Sequence, residues 1–283
     1  MDFLRPADLA EALDMKAANP AAVPIAGGTD VMVELNFDHS RPEALLDLTR
    51  IPALTEWSTS DTTVTFGAGL PYTRVIAELG SMLPGLAMAS RTVGSPQIRN
   101  RGTVGGNLGA ASPAGDTHPV LLACDAAVNV ASVRGPRTIP IHEFYLGVKR
   151  NALAADELIV SVTVPKATGP QQFSKVGTRN AMVIAVCSVS LALHPAERRV
   201  GAAIGSAAPT PRRAKLAEEF AARELDWDSR RSLEKSVQRR FGDLVAAAAS
   251  PIDDVRGTAA YRQHALAVLA QRTLAWAWTE YSR

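Results

Sequence analysis

Two glycine clusters mark places where backbone groups, more than side chains, could do chemistry. The first is Ala26-Gly27-Gly28-Thr29-Asp30, and the second runs Arg99-Asn100-Arg101-Gly102-Thr103-Val104-Gly105-Gly106-Asn107-Leu108-Gly109. Glycine reaches positive φ and carries no Cβ, so successive N–H groups can converge on an anion such as a pyrophosphate. Thr103 and Asn107 add hydroxyl and amide donors between the glycines. Together the clusters could hold both phosphates of a dinucleotide, whereas either alone would read as a tight turn. A Rossmann site is disfavoured, because it needs G-x-G-x-x-G directly after a strand. The first cluster has no third glycine, the second is not clearly preceded by a strand, and Leu70-Pro71 follows Gly67-Ala68-Gly69.

Other candidates are fewer. Asp116 closes the polar turn Ala111-Ser112-Pro113-Ala114-Gly115-Asp116 and could accept hydrogen bonds from ribose hydroxyls, or simply cap the following helix. Lys175, in Phe173-Ser174-Lys175-Val176, reads as a solvent-facing strand lysine or as a cation tuning a bound ring. The histidines, His39, His118, His142, His194 and His264, show no metal-ligand spacing, and His118 reads as packed or solvent-facing. No nucleophile with its base and no hydrolytic pair of carboxylates stands out, so no catalytic residue and no metal ligand is assigned.

The elements that would position these residues follow from periodicity. A helix through Leu9, Leu13 and Lys16, opened by Pro6, ends near Asn19-Pro20; Val23-Pro24-Ile25 is a strand entering the first glycine turn, and Val31 to Phe37 is helical. Strands are expected at Ala44 to Leu48, Thr62 to Phe66 and Glu157 to Val164, with helices from Pro71 and over Met82 to Thr92. Lys166 to Pro170 has linker composition. Beyond it come strand-like runs at Gln172 to Val176, Met182 to Leu193 and Arg199 to Ser206, then helices from about Arg212, the last spanning Thr258 to Tyr281. Strands before helices point to an α+β second part.

At 283 residues two domains are expected. A net charge of +2 is too small to imply a nucleic-acid partner, and Arg212-Arg213, Arg230-Arg231 and Arg239-Arg240 read as solvated helix faces. Cys124 and Cys187 lie far apart and read as buried thiols. No stretch is long and apolar enough for a membrane span, and the first residues have no export-signal pattern, so a reducing cytoplasm is expected.

The chain resembles the FAD-binding subunits and domains of the molybdenum hydroxylases over nearly its whole length. The resemblance rests on Ala26-Gly27-Gly28-Thr29-Asp30, on Gln97 to Asn107 with Ala111-Ser112-Pro113 and Asp116, on Phe144-Tyr145-Leu146-Gly147 with Asp156-Glu157-Leu158-Ile159, and on Ala208-Pro209-Thr210-Pro211-Arg212. It implies an α+β chain. Residues 1–168 would form an FAD-binding domain of two α/β subdomains, of the PCMH / vanillyl-alcohol-oxidase type; residues 169–283 would form a smaller α+β domain with a three-stranded antiparallel sheet and helices. It implies that Ala26, Gly27, Gly28, Thr29, Asp30, Thr103, Val104, Gly105, Gly106 and Asn107 wrap the FAD pyrophosphate, that Asp116 lies on the ribose side, and that Ile159 and Lys175 lie near the flavin. Val183 stands where the family often has Asp. The partners implied are a small subunit carrying [2Fe-2S] clusters and a large molybdopterin subunit, in a dimer of heterotrimers, with electrons passing through FAD to an external acceptor. Two rivals make different predictions: a self-sufficient flavoenzyme of the same fold would turn over substrate alone, and a non-catalytic nucleotide-binding scaffold would be colourless.

Overall fold

In the computed structural model, which describes residues 1–283, the chain opens as alternating strand and helix: β1 (Asp2–Leu4), α1 (Leu9–Ala18), β2 (Val23–Ile25), α2 (Val31–Asn36) and β3 (Ala44–Asp47). The strands pair in parallel in the order β1-β3-β2. α1 begins at Leu9 rather than at Pro6 because Asp8 caps it. The Asp8 carboxylate accepts from the Glu11 N–H at 2.9 Å, and the Glu11 carboxylate takes the Ala7 N–H at 2.6 Å, a reciprocal cap. Lys16 turns inward, and its ammonium donates to the Pro20 and Ala22 carbonyls, tying the helix to the entry of β2.

The middle of the chain holds β4 (Trp57–Thr59), β5 (Thr63–Gly67), α3 (Tyr72–Glu78), α4 (Pro84–Thr92), α5 (Pro96–Arg101), α6 (Val104–Ala110), α7 (His118–Ala123), β6 (Ala127–Ser132), β7 (Gly135–Pro140), α8 (Ile141–Phe144), the hairpin β8 (Tyr145–Gly147) with β9 (Arg150–Asn151), and β10 (Leu158–Pro165). Its antiparallel sheet has the order β4-β5-β10-β6-β7. Val64, Phe66, Val128, Val130, Val162 and Val164 alternate along three neighbouring strands and are buried beneath Val75, Leu79, Leu86, Val120 and Leu121. That period of two is what places one face of the sheet against the helices. The hairpin β6–β7 escapes sequence reading because Pro136 and Pro140 interrupt it; β7 is an edge strand, where a missing N–H is tolerated.

The last part comprises β11 (Gln171–Val176), β12 (Cys187–His194), β13 (Arg199–Gly205), the two-residue β14 (Arg212–Arg213), α9 (Lys215–Glu224), α10 (Lys235–Ala247) and α11 (Ala259–Tyr281). The antiparallel sheet runs β11-β12-β13-β14, three long strands and a short edge. Every residue of β12 is buried. Cys187, Val189, Leu191 and Leu193 face the helices, while Ala192, with Ala203 of β13, joins the core of the middle sheet. Both sides of this sheet are therefore covered, by α9 to α11 on one and by α7 on the other.

Three expectations are corrected. Met182 to Val186 is loop, not strand: the Arg179 guanidinium donates to the Ala181 and Met182 carbonyls, and Val183 packs over Gly177, so the chain doubles back before β12. Arg212 and Arg213 form the edge strand, with α9 starting at Lys215, and half-buried Arg213 bonds Glu218, Asp125 and the Leu122 carbonyl. Arg230 and Arg231 lie in the loop before α10, and only Arg239 and Arg240 lie on an exposed helix face. No helix is long and apolar enough to cross a membrane.

Candidate functional site

The two glycine clusters, some 70 residues apart in sequence, meet in space. The turn from β2 into α2 lies against the turn from α5 into α6: a Cβ on Gly27 would overlap the Arg101 carbonyl and stand 2.9 Å from the Gly102 nitrogen, and one on Gly102 would lie 3.3 Å from Thr29 Oγ1. The second cluster is in turn bound to the middle domain, because the Tyr72 N–H donates to the Gly102 carbonyl at 3.0 Å and Gly105 lies directly on Ala68. Gly28 has φ +72°, the left-handed region that favours glycine, and it starts the turn that ends at Asp30, the first residue before α2.

The glycines divide by duty. Gly27 and Gly105 have no room for a side chain because protein backbone fills it; Gly106 and Gly109 are exposed, a Cβ on Gly106 meeting only Thr103 Oγ1 at 3.1 Å and one on Gly109 only Ile159 Cδ1 at 4.0 Å. Thr103 caps α6, its hydroxyl accepting the Gly106 N–H at 2.8 Å, while Val104 anchors the helix in the core. Ile159 lies below α6 on β10, at an irregularity in the pairing with β6 that shifts the register between Ile159 and Ser161. Such bulges re-aim side chains beside sites.

Asp116 and Lys175 come together as a buried pair. Their side chains are 7 % and 8 % exposed, and the Lys175 ammonium donates to Asp116 Oδ2 at 2.5 Å and to the Thr92 carbonyl at 3.2 Å. The Thr92 hydroxyl donates to the same carboxylate oxygen at 3.0 Å. Asp116 Oδ1 is buried without a partner. Burial pushes the Asp116 carboxyl above the usual carboxylate range, and the Lys175 ammonium pulls it back. Two sequence readings fall here: Lys175 is not a solvent-facing strand lysine, and Asp116 does not cap α7, whose preceding residue Thr117 has no capping side-chain bond.

His118 is fully buried, its ring tilted against that of Tyr145 with centroids 4.9 Å apart, and its Nε2 lies 3.2 Å from the Asn107 carbonyl. Burial lowers its pKa to about 4, so the ring is neutral at pH 7. Its edge occupies the space a side chain at Gly115 would need. Burial likewise raises the Tyr145 phenol, and its hydroxyl has no partner. No group of His, Cys, Asp and Glu side chains could hold a metal ion.

Two residues near the first cluster escaped sequence reading. Asp47, at the end of β3, lines with Gly27, Gly28, Met32 and Arg101 a cleft of about 250 Å³, and one of its oxygens accepts from the Thr49 N–H and hydroxyl at 2.9 and 2.6 Å. An acidic residue at the carboxyl end of a strand neighbouring the glycine turn was the available signal. Lys149, in the β8–β9 turn, pairs with Glu34 of α2 and bonds the Ala111 carbonyl through its N–H, which closes the hairpin over α6. Its partner is over a hundred residues away, so nothing local announces it.

Comparison with known proteins agrees with this architecture. Residues 1–167 match the family described as FAD binding domain in molybdopterin dehydrogenase, and residues 172–277 match the CO dehydrogenase flavoprotein C-terminal domain. The nicotine 6-hydroxylase medium subunit of Paenarthrobacter nicotinovorans is 30% identical over 279 residues, covering 96% of this chain and 95% of that protein. The xanthine dehydrogenase FAD-binding subunit of Escherichia coli O157:H7 is 32% identical, covering 77% and 78%. Among solved structures, a carbon monoxide dehydrogenase from Hydrogenophaga pseudoflava that lacks the Mo-pyranopterin moiety of the molybdenum cofactor superposes with a TM-score of 0.89 at 27% identity, over 99% of this chain and 98% of that one.

Proposed function

The chain belongs to the FAD-binding, medium-subunit family of the molybdenum hydroxylases, and from that premise we propose that it is the electron-transfer subunit of a heteromeric enzyme. As an FAD-dependent oxidoreductase subunit, it receives electrons at bound FAD from [2Fe-2S] clusters of a small partner and passes them to an external acceptor. Substrate oxidation then belongs to a large molybdopterin subunit, in a dimer of heterotrimers acting in the cytoplasm. The relatives named as medium or FAD-binding subunits of dehydrogenases and hydroxylases support this reading. We divide the chain after residue 168 into an FAD-binding domain and a C-terminal domain.

One observation carries the site assignment: two distant glycine turns lie in backbone contact, while Gly106 and Gly109 beside them present open, side-chain-free backbone. A diphosphate requires such a surface, dense in N–H groups and free of Cβ atoms. Ala26 to Asp30 and Thr103 to Asn107 would hold it, helped by the partial positive charge at the start of α6. The unpartnered, buried Asp116 Oδ1 offers an acceptor for a donor group of the cofactor, and Lys175 keeps a positive charge beside it in a site largely closed to water. Ile159 supplies an apolar surface under α6. FAD, when bound, supplies a ring that takes up and releases electrons singly or in pairs. The protein's own work is to hold, orient and shield.

The test is Gly106→Leu. The purified wild-type chain should be yellow and release FAD on denaturation; the variant should keep its far-ultraviolet circular dichroism and lose its flavin. Equal flavin content in the two would reject the assignment. Large and small chains bearing molybdopterin and iron-sulfur clusters that co-purify with it would support the subunit role, and substrate turnover by this chain alone would refute it.

A further inference from the structure

The amide of Asn107 has two ends that meet different surroundings, and the contrast sets which end a ligand would meet. Its Oδ1 accepts the Thr117 hydroxyl proton at 2.8 Å, and its main-chain carbonyl lies 3.2 Å from His118 Nε2, so consecutive residues at the start of α7 grip one residue of α6. Thr117 is fully buried, and its hydroxyl faces two side chains, the Asn107 amide and the buried phenol of Tyr72. Burial keeps the Tyr72 phenol protonated, so it can donate to that hydroxyl. An amide turned over would bring a second donor, Nδ2, and with Tyr72 donating would leave the hydroxyl proton buried without an acceptor, a state proteins avoid. The amide is thereby fixed with Oδ1 inward. Nδ2 is left without a protein acceptor, on a half-buried residue adjoining exposed Gly106.

A primary amide can present either a donor or an acceptor edge, and only the donor edge suits an anion. We propose that Thr117 is a positioning residue, which never touches the cofactor but locks Asn107 so that its Nδ2 donates to the diphosphate of FAD; this rests on the site assignment above. Without the Thr117 hydroxyl the amide is free to turn its carbonyl toward the phosphates, and attraction becomes repulsion in part of the population. Thr117→Ser keeps the hydroxyl and the lock, whereas Thr117→Val keeps the shape and removes it.

The experiment is a thermodynamic cycle on the full-length chain stripped of flavin, with FAD affinity read from quenching of flavin fluorescence. Thr117→Val should raise the FAD Kd about tenfold, the loss expected when one hydrogen bond to a charged group is compromised. Thr117→Ser should stay within about twofold of the wild type. Asn107→Ala should weaken binding too, and adding Thr117→Val to it should weaken it no further, because a residue acting only through Asn107 has nothing left to position. A hydroxyl that merely supports the fold would instead lower the affinity by the same factor in both backgrounds. Losses that multiply in the double variant, or a Thr117→Val chain with wild-type affinity, would overturn the inference while leaving the site assignment standing. A folded wild-type chain that takes up no FAD would overturn both. Should the valine variant fail to fold, Thr117→Ala completes the same cycle.

Discussion

Gly27 and Gly106 are the same residue with opposite duties. At Gly27 the missing side chain lets one stretch of backbone rest on another, so Gly27→Ala should strain the meeting of the two turns and cost about 3 kcal/mol, as overpacked positions do. At Gly106 the missing side chain faces outward, so a larger residue should cost flavin rather than stability. Chemical denaturation of the flavin-free chain separates the two outcomes. His118 makes a third residue-scale prediction. Its folded pKa of about 4 lies below the ordinary 6.5, so between those values the unfolded chain binds the extra proton and stability falls as the solution is acidified. The full effect is about 3 kcal/mol, gained above pH 6.5 and lost on the way down to pH 4. Denaturation midpoints of the wild type and His118→Gln across that range should converge toward the acid end; parallel pH profiles would count against a buried neutral ring.

At the scale of elements, the pair Asp116–Lys175 joins the turn before α7 to β11. Lys175→Met should leave a buried carboxylate unpaired and cost roughly 3–5 kcal/mol in the flavin-free chain at neutral pH, whereas Lys175→Met with Asp116→Asn should recover most of the loss. The penalty in the single variant should shrink on acidification, since a carboxyl whose folded pKa is raised gains stability as it takes up a proton. A single variant that is insensitive to pH would refute the pairing. Neither partner could be read as buried from its own neighbours: Lys175 sits in Phe173-Ser174-Lys175-Val176, as consistent with a solvent-facing strand as with the observed one. By contrast the glycine turn before α2 was legible, because glycine acts on its own backbone. Thr103, expected as a hydroxyl donor, instead accepts the Gly106 N–H and caps a helix that the sequence reading did not include. β7 stayed hidden because its prolines argue against a strand until its edge position is known.

Across the whole molecule, β12 serves two cores at once, with one face against α9 to α11 and the other against α7, where Ala192 joins the core of the middle part. Gly201 of β13 lies against the Ala123 carbonyl of α7, and Arg213 donates to the Leu122 carbonyl at 2.9 Å. The two halves should therefore unfold together: circular dichroism and tryptophan fluorescence, dominated by Trp227, Trp276 and Trp278 of the second half, should give one coincident transition. Gly201→Val should push α7 off the sheet, lower the midpoint and separate the two signals; coincident signals in that variant would show that the contact does not couple the halves. The sequence by itself determined the order of most strands and helices, the two glycine turns and the family likeness, because those depend on residue type and near-neighbour spacing. Only the tertiary structure decided which glycines face protein and which face open space, that Asp116 and Lys175 are a buried pair, and that α7 grips Asn107. Burial and pairing are settled by surfaces that meet across tens of residues, and no local pattern encodes which surface arrives.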